Sequence, residues 1–301
     1  MHPALPRPLA LATLISLGLA PVAGHAARPD NSAPTLKVST LYSGETDLEA
    51  RGAPVGDVSF SRFSADLELP LAPLSESTRL SAGLGYSGFH LDLGGGAPLP
   101  ERLESVEARL TARHRFDDRW SLLGTLSPGI HGADGTFSGD GFSLGGLVLA
   151  SYQVNPRLTL GGGFVFDTLS ESMPLMPVVG LRWDFAERWD LTLAFPSSGV
   201  SWRASEQLTL RATLDLDVGS FHVEDDPAPG LASKPSLRDT VVDFTALTAG
   251  LGADYRLSDS LTLSATLGYN FSRTADYDER GYEVESEDGA PLARLGLTYA
   301  F

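Results

Sequence analysis

A chain of 301 residues with 42 % hydrophobic residues carries too little apolar sequence for a bundle of membrane helices. It carries enough for membrane strands, which need oil only on alternate positions. The absence of cysteine excludes disulfides, thiol chemistry and cysteine-based metal centres, and a formal net charge of -16 argues against a nucleic acid as partner.

Residues 1–26 read as a secretory signal peptide. Arg7 is followed by an apolar run from Leu9 to Leu19, Pro21 ends the run, and Gly24-His25-Ala26 offers a small-residue cleavage site. The run is too short to span a bilayer as a helix. A polar leader at 27–34 comes next, then a single domain over 35–301. With no second long apolar run, that domain can cross a membrane only as β-strands.

The first expected strand is 36–42, followed by a polar loop over 46–56 marked by Gly52 and Pro54. In the second, 58–71, Phe63, Ala65, Leu67 and Leu69 alternate with Arg62, Ser64, Asp66 and Glu68. Phe60 falls out of that phase, which suggests a bulge near the start of the strand. Strands over 80–86 and 106–112 follow, the latter alternating Val106, Ala108 and Leu110 with Glu107, Arg109 and Arg113 just beyond.

A turn pattern then recurs: Phe116-Asp117-Asp118-Arg119-Trp120, Val154-Asn155-Pro156-Arg157-Leu158 and Phe185-Ala186-Glu187-Arg188-Trp189, with weaker copies at 205–210 and 257–263. Each joins a strand end to a tight polar turn and restarts alternation, as antiparallel neighbours require. Connections of variable length lie between them, near 132–139, 170–173, 197–199, 221–236 and 275–290. Short turns on one side and longer loops on the other are the habit of membrane barrels. The remaining strands are expected at 120–127, 142–154, 158–169, 175–185, 189–195, 200–204, 208–220, 241–257, 261–272 and 291–301. The hairpin 189–204 is the shortest; the count is 14 with it and 12 without it. The expected fold is therefore all-β, a transmembrane antiparallel meander barrel of 12–14 strands.

Strand 208–218 sets Leu208, Leu210, Ala212, Leu214, Leu216 and Val218 against Thr209, Arg211, Thr213, Asp215 and Asp217. Charge is expensive in lipid, so Arg62, Asp66, Glu68, Glu107, Arg109, Arg113, Arg211, Asp215 and Asp217 are the candidate lumen-lining residues. A barrel of this circumference leaves room beyond its own side chains. A pore or small-solute transport channel is the expected function. The alternatives are a closed structural or ligand-binding barrel with surface loops, and an outer-membrane lipid-modifying enzyme.

The acidic stretch 276–288 reads as a solvated, mobile loop, and its spacing matches no calcium-binding loop. No hydrolase elbow, zinc-protease or phosphate-loop motif occurs. His90, His114, His131 and His222 are scattered without metal-ligand spacing, and neither a metal nor a cofactor is expected. A Ser–His pair near the outer rim is the feature that favours the enzyme reading; His114 has no evident polar partner, and His90 with Ser87 is a loose pairing.

The chain ends Ala293-Arg294-Leu295-Gly296-Leu297-Thr298-Tyr299-Ala300-Phe301, apolar on every odd position. This ending resembles the insertion signal of bacterial outer-membrane β-barrels, carried here by Leu295, Leu297, Tyr299 and Phe301. The segment 177–203, through Gly180, Leu181, Trp183, Phe185, Trp189, Leu191, Leu193, Phe195, Pro196 and Trp202, resembles an uncharacterised family of predicted outer-membrane proteins. The resemblance implies a barrel in the outer membrane of a Gram-negative cell. Outer-membrane lipid and lipopolysaccharide, the barrel assembly machinery and small solutes are then its partners. Fatty-acid-transporter barrels also have 14 strands but carry a substantial N-terminal plug. The leader at 27–34 is too short for one, which argues against hydrophobic-substrate uptake of that type.

Overall fold

Alternation of apolar and polar residues folds the chain into a meander of antiparallel strands. The computed structural model describes residues 33–301 apart from 173, 232, 233 and 287; the expected signal peptide and most of the expected leader lie outside the described residues. The strands are β1 (Thr35–Ala50), β2 (Ala53–Pro70), β3 (Thr78–Gly94), β4 (Arg102–Arg115), β5 (Trp120–Ala133), β6 (Phe142–Asn155), β7 (Leu158–Asp167), β8 (Leu175–Ala186), β9 (Trp189–Ala194), β10 (Ser197–Arg203), β11 (Leu208–Val223), β12 (Thr240–Arg256), β13 (Leu261–Tyr277), β14 (Tyr282–Ser286) and β15 (Ala290–Ala300). Each strand from β2 to β14 pairs with its predecessor, β15 pairs with β13, and the ring closes where β1 pairs with β15 from Thr35↔Ala300 to Ser43↔Leu292. β14 continues the line of β15 between β13 and β1, so the wall is a closed antiparallel barrel of 14 strands. Closure leaves no long free edge at the seam.

The outer face is apolar. Leu84, Leu110, Val148, Val179, Leu251, Leu267 and Leu295 are all exposed there. At the end that carries the two termini, Phe116, Trp120, Trp183, Phe185, Trp189, Tyr255, Tyr299 and Phe301 form an exposed aromatic belt, the composition of a membrane–water interface. Neighbouring rings touch: Trp189 stacks on Trp202 at 5.7 Å between centroids, and Tyr299 meets Phe301 edge-on at 4.9 Å.

Several boundaries differ from the sequence reading. The expected loop at 46–56 is strand: β1 runs on to Ala50 and turns at Arg51-Gly52, both at positive φ (53° and 73°), into β2. A polar segment above the membrane needs no oily face, so its alternation is weak although its backbone is paired. Phe60 does not mark a bulge in β2. The register shift lies opposite it in β1, between Ser43 and Thr46. Arg273 occupies that bulge, donating to Ser43 Oγ at 2.6 Å, Gly44 O at 2.8 Å and Val58 O at 2.9 Å. The acidic stretch 276–288 is an ordered hairpin rather than a free loop, with β14 laddered to both β13 and β1. Turn lengths are also less lopsided than expected: β1–β2 and β9–β10 close with two residues each on the loop side.

The loop end of the barrel is filled. Leu48, Val58, Phe60, Phe89, Leu91, Leu103, Phe221, Val242, Phe244, Tyr277, Tyr282 and Val284 form one buried apolar cluster with Leu99 and Leu237 from the loops. Phe60, Phe89 and Phe244 pack ring to ring at 5.3–5.9 Å. The upper part of β11 takes part in an unusual way. Its last four residues, Ser220, Phe221, His222 and Val223, are buried on both faces, and His222 pairs with Gly132 of β5 in a parallel bridge. β5 and β11 are far apart around the wall, so the top of β11, still laddered to β12 as far as Val223↔Thr240, bends inward across the interior. Phe221 and Val223 face the apolar cluster, while Val218 packs against a second one of Leu147, Val165, Met176 and Val178.

Candidate functional site

Below the apolar cap, the inward positions of the strands carry charge. Arg62 Nη1 lies 2.8 Å from Asp217 Oδ1, a pair that spans the interior from β2 to β11. Arg294 of β15 reaches the other oxygen of Asp217 at 3.4 Å. Arg109 of β4 bonds Asp66 of β2 over the intervening β3, and its Nε is 3.8 Å from Glu107. Glu107 is also 3.8 Å from His131 Nε2. On the neighbouring strands Arg211 pairs with Asp254 at 2.9 Å. Asp215 accepts from Ser197 at the tip of the β9–β10 hairpin. Glu68 and Arg113 stand nearer the turn end and are exposed.

Of the charges named from sequence, the structure joins Arg62 to Asp217 and Arg109 to Asp66 and Glu107. Three participants were not singled out. Arg294 sits on the even phase of the terminal strand, Asp254 on the polar phase of β12, and His131 at the top of β5; the phase rule that selected the others would have found the first two. These groups border a cavity lined by Arg62, Asp66, Glu107, Arg109, Asp167 and Val218. The cavity is small, about 30 Å³, room for a water or two between the fixed charges. Arg62 also lies over the ring of Phe89, 4.8 Å from its centroid, where the charged layer meets the cap.

A second cluster stands at the outer rim. His222 Nε2 is 3.2 Å from Asp239 Oδ1, and its Nδ1 is 3.4 Å from Ser138 Oγ. Asp140 brings a carboxylate to the same place, so that donor atoms of Asp140, His222 and Asp239 lie within 4.8 Å of one another. Three segments distant in sequence meet only because β11 crosses to β5, which is why spacing gave no sign of it. Chemically the cluster is either a three-donor set for a divalent cation or a Ser–His–Asp relay. Of the histidines weighed from sequence, His114 does have a polar partner: its Nδ1 lies 2.8 Å from Thr78 Oγ1.

Closed wall, oily exterior, aromatic belt and charged interior define a transmembrane β-barrel of the outer-membrane kind. The chain belongs to the family of the domain of unknown function DUF6268, whose model matches residues 38–288. No curated protein matches it. Among solved structures it is similar to a Pseudomonas aeruginosa FadL homologue, at 12 % identity and TM-score 0.51 over 89 % of this chain and 90 % of that one. It is similar also to an outer-membrane channel from Pseudomonas putida F1, at 10 % identity and TM-score 0.50 over 89 % and 96 %. At such identities the likeness shows the fold, and the fold is that of outer-membrane barrel channels.

Proposed function

We propose that the protein is an outer-membrane transport channel of a Gram-negative cell that passes small solutes through the charged part of its lumen. The carrying observation is the cavity beneath the cap, bordered by fixed charges of both signs, Arg62, Asp66, Glu107 and Arg109. Arg62 of β2 and Asp217 of β11 face each other across the interior, and opposed charges so placed produce a transverse field that selects solutes by dipole and charge. The aromatic belt and the apolar exterior support residence in the outer membrane, with lipid and lipopolysaccharide as surroundings. The terminal residues Leu295, Leu297, Tyr299 and Phe301 support recognition by the assembly machinery. The test is flux in proteoliposomes for a panel of ions, small sugars and small aromatic solutes, against protein-free vesicles. Passage of any class above background supports the reading. No passage of any class overturns it in favour of a closed structural barrel.

The rim cluster favours a second reading, a lipid-modifying enzyme with Ser138 as nucleophile, His222 as base and Asp239 as its orienting acid. The Ser138–His222 distance is long for a resting pair, as is common before substrate binds. Ester hydrolysis by detergent-solubilised protein that is lost in Ser138→Ala supports it. Equal rates in wild type and variant rule it out.

A further inference from the structure

The β9–β10 hairpin stops halfway up the wall. β9 has 6 residues and β10 has 7, against 12 in β8 and 16 in β11 on either side. The tip, Phe195-Pro196, is tied to β11 by a bond from Leu216 N to Pro196 O at 2.8 Å. Above it the ladder is interrupted, and side chains alone close the wall. Residues from Leu175 to Val179 of β8 pair only with β7. Residues beyond Leu216 of β11 pair with β12 and, at His222, with Gly132. Among the described residues no ladder joins β8 to β11. The opening has a lintel as well: the β7–β8 loop reaches over β11, where Ser172 donates to Asp243 of β12 through N at 3.4 Å and Oγ at 2.7 Å.

This gap in the ladder is a candidate window, and its height matters. Trp183 marks the aromatic belt on β8. Val179 and Leu175 lie four and eight residues above it, roughly 14–27 Å along a strand that rises about 3.4 Å per residue. The window therefore opens in the upper half of the apolar band, against acyl chains rather than water. An open sheet edge facing lipid leaves backbone groups unsatisfied, a cost that membrane proteins avoid unless the gap lines a cavity. Here the edge is blunted by Pro177, which has no N–H to orphan. The inner jamb is apolar: Met176 and Val178 are buried with Leu147 and Val165, and Phe195 and Val218 pack against them. Outside, Leu175 and Val179 are exposed. Val218 belongs to both places, since it also lines the charged cavity. Straight upward the route is stopped by the apolar cap.

We infer that solutes leave or enter the barrel sideways, through the window between β8 and β11, and that the solute is a small amphiphile with an apolar chain or ring. Its apolar body passes the Met176, Val178 and Val218 surface and exchanges with the outer leaflet, while its polar head meets the charged layer around Arg62 and Arg109. The inference rests on the channel reading above.

The test is photolabelling of the wild-type barrel in bilayers containing a dodecyl chain that carries a diazirine, with adducts mapped by mass spectrometry. Lipid-facing Leu175 and Val179 are labelled in any barrel and serve as the internal control. Labelling also at Val178 and Val218, and its loss at Val218 in Val178→Trp, is the expected result. Adducts confined to outward residues overturn the window, whatever the flux of polar solutes turns out to be. In the flux assay, Val178→Trp leaves ions and sugars unaffected and blocks amphiphile exchange. If no class of solute in the panel crosses while Val218 is still labelled, the channel reading fails and the window stands.

Discussion

Arg62 and Asp217 meet at 2.8 Å although four wall strands, β1, the β14–β15 line, β13 and β12, lie between the strands that carry them. The bond crosses the barrel interior, not a ladder, and Asp217 holds Arg294 on its other oxygen. The two partners are therefore unequal. Asp217→Ala strips two cations of their counter-charge and is expected to destabilise the barrel by about 2–3 kcal/mol. Arg62→Ala leaves Asp217 paired with Arg294 and is expected to lose only about 1 kcal/mol. Urea unfolding in detergent, read by heat-modifiable mobility, gives the order; equal losses would deny the crossing pair its special place.

The lintel over the window is expected to respond to pH through Glu171. Burial, together with the nearby carboxylates of Glu279, Asp243 and Asp278, pushes it from 4.5 up to about 7. An acid whose folded value is raised binds a proton on docking, so docking is fully favoured below the unfolded value of 4.5 and weakens as pH rises through about 7. Hydrogen exchange of residues 168–172, corrected for intrinsic rates, is expected to be faster at about pH 8 than at about pH 5. Glu171→Gln flattens the difference. A profile unchanged by that substitution assigns the effect elsewhere.

Arg273 is a buried cation that holds three acceptors at the β1 bulge, and its guanidinium lies 4.9 Å from the centroid of Phe60. Arg273→Met keeps much of the volume and orphans those acceptors. The expected loss is about 2–4 kcal/mol, because buried unsatisfied groups cost more than an absent bond. Calorimetry in detergent measures it, and a change below about 1 kcal/mol would show that water replaces the guanidinium freely.

Deleting Phe301 removes an exposed ring and the bond from its N–H to Pro34 O at 3.0 Å. The β1–β15 ladder from Thr35↔Ala300 onward is retained. Stability of the folded barrel is expected to change by less than ~3 kcal/mol, whereas assembly in cells falls much more. The folded fraction in outer-membrane preparations, set beside refolding of the same variant in detergent, separates the two. Normal cellular yield removes the signal role from Phe301.

Orientation is tested by single cysteines in a chain that has none. Asp225→Cys, in the long β11–β12 loop with its side chain 83 % exposed, is expected to label in intact cells. Asp118→Cys in the β4–β5 turn is expected to be protected. The reverse pattern inverts the barrel.

Strand number and the ion pair of Arg62 with Asp217 were prepared for by the sequence, because lipid on one side and water on the other impose a strict period of two. Leu208 to Asp217 and Leu261 to Asn270 display it without a break. Legibility ended where that pair of solvents ended. At the loop end Val58 and Phe60 share the inward phase of Arg62, and an apolar residue on that phase looks like an error when it is a cap. Val218 looked like one more lipid-facing residue of its strand; β11 had already turned inside. The His222 cluster depends on that same crossing, and no local pattern encodes it.

The apolar cap also gives the protein a third solvent. Most of a membrane barrel is held between oil outside and water within, and its stability is tied to the bilayer. The loop end instead excludes both, as the middle of a globular protein does. Its two ends therefore answer to different perturbants. Changing the lipid or detergent acts first on the belt around Trp183, Trp189 and Tyr299, while urea and temperature act first on the ring cluster of Phe60, Phe89 and Phe244. A barrel with one end of each kind has an outer half that stays folded while its membrane half adapts to bilayers of different thickness.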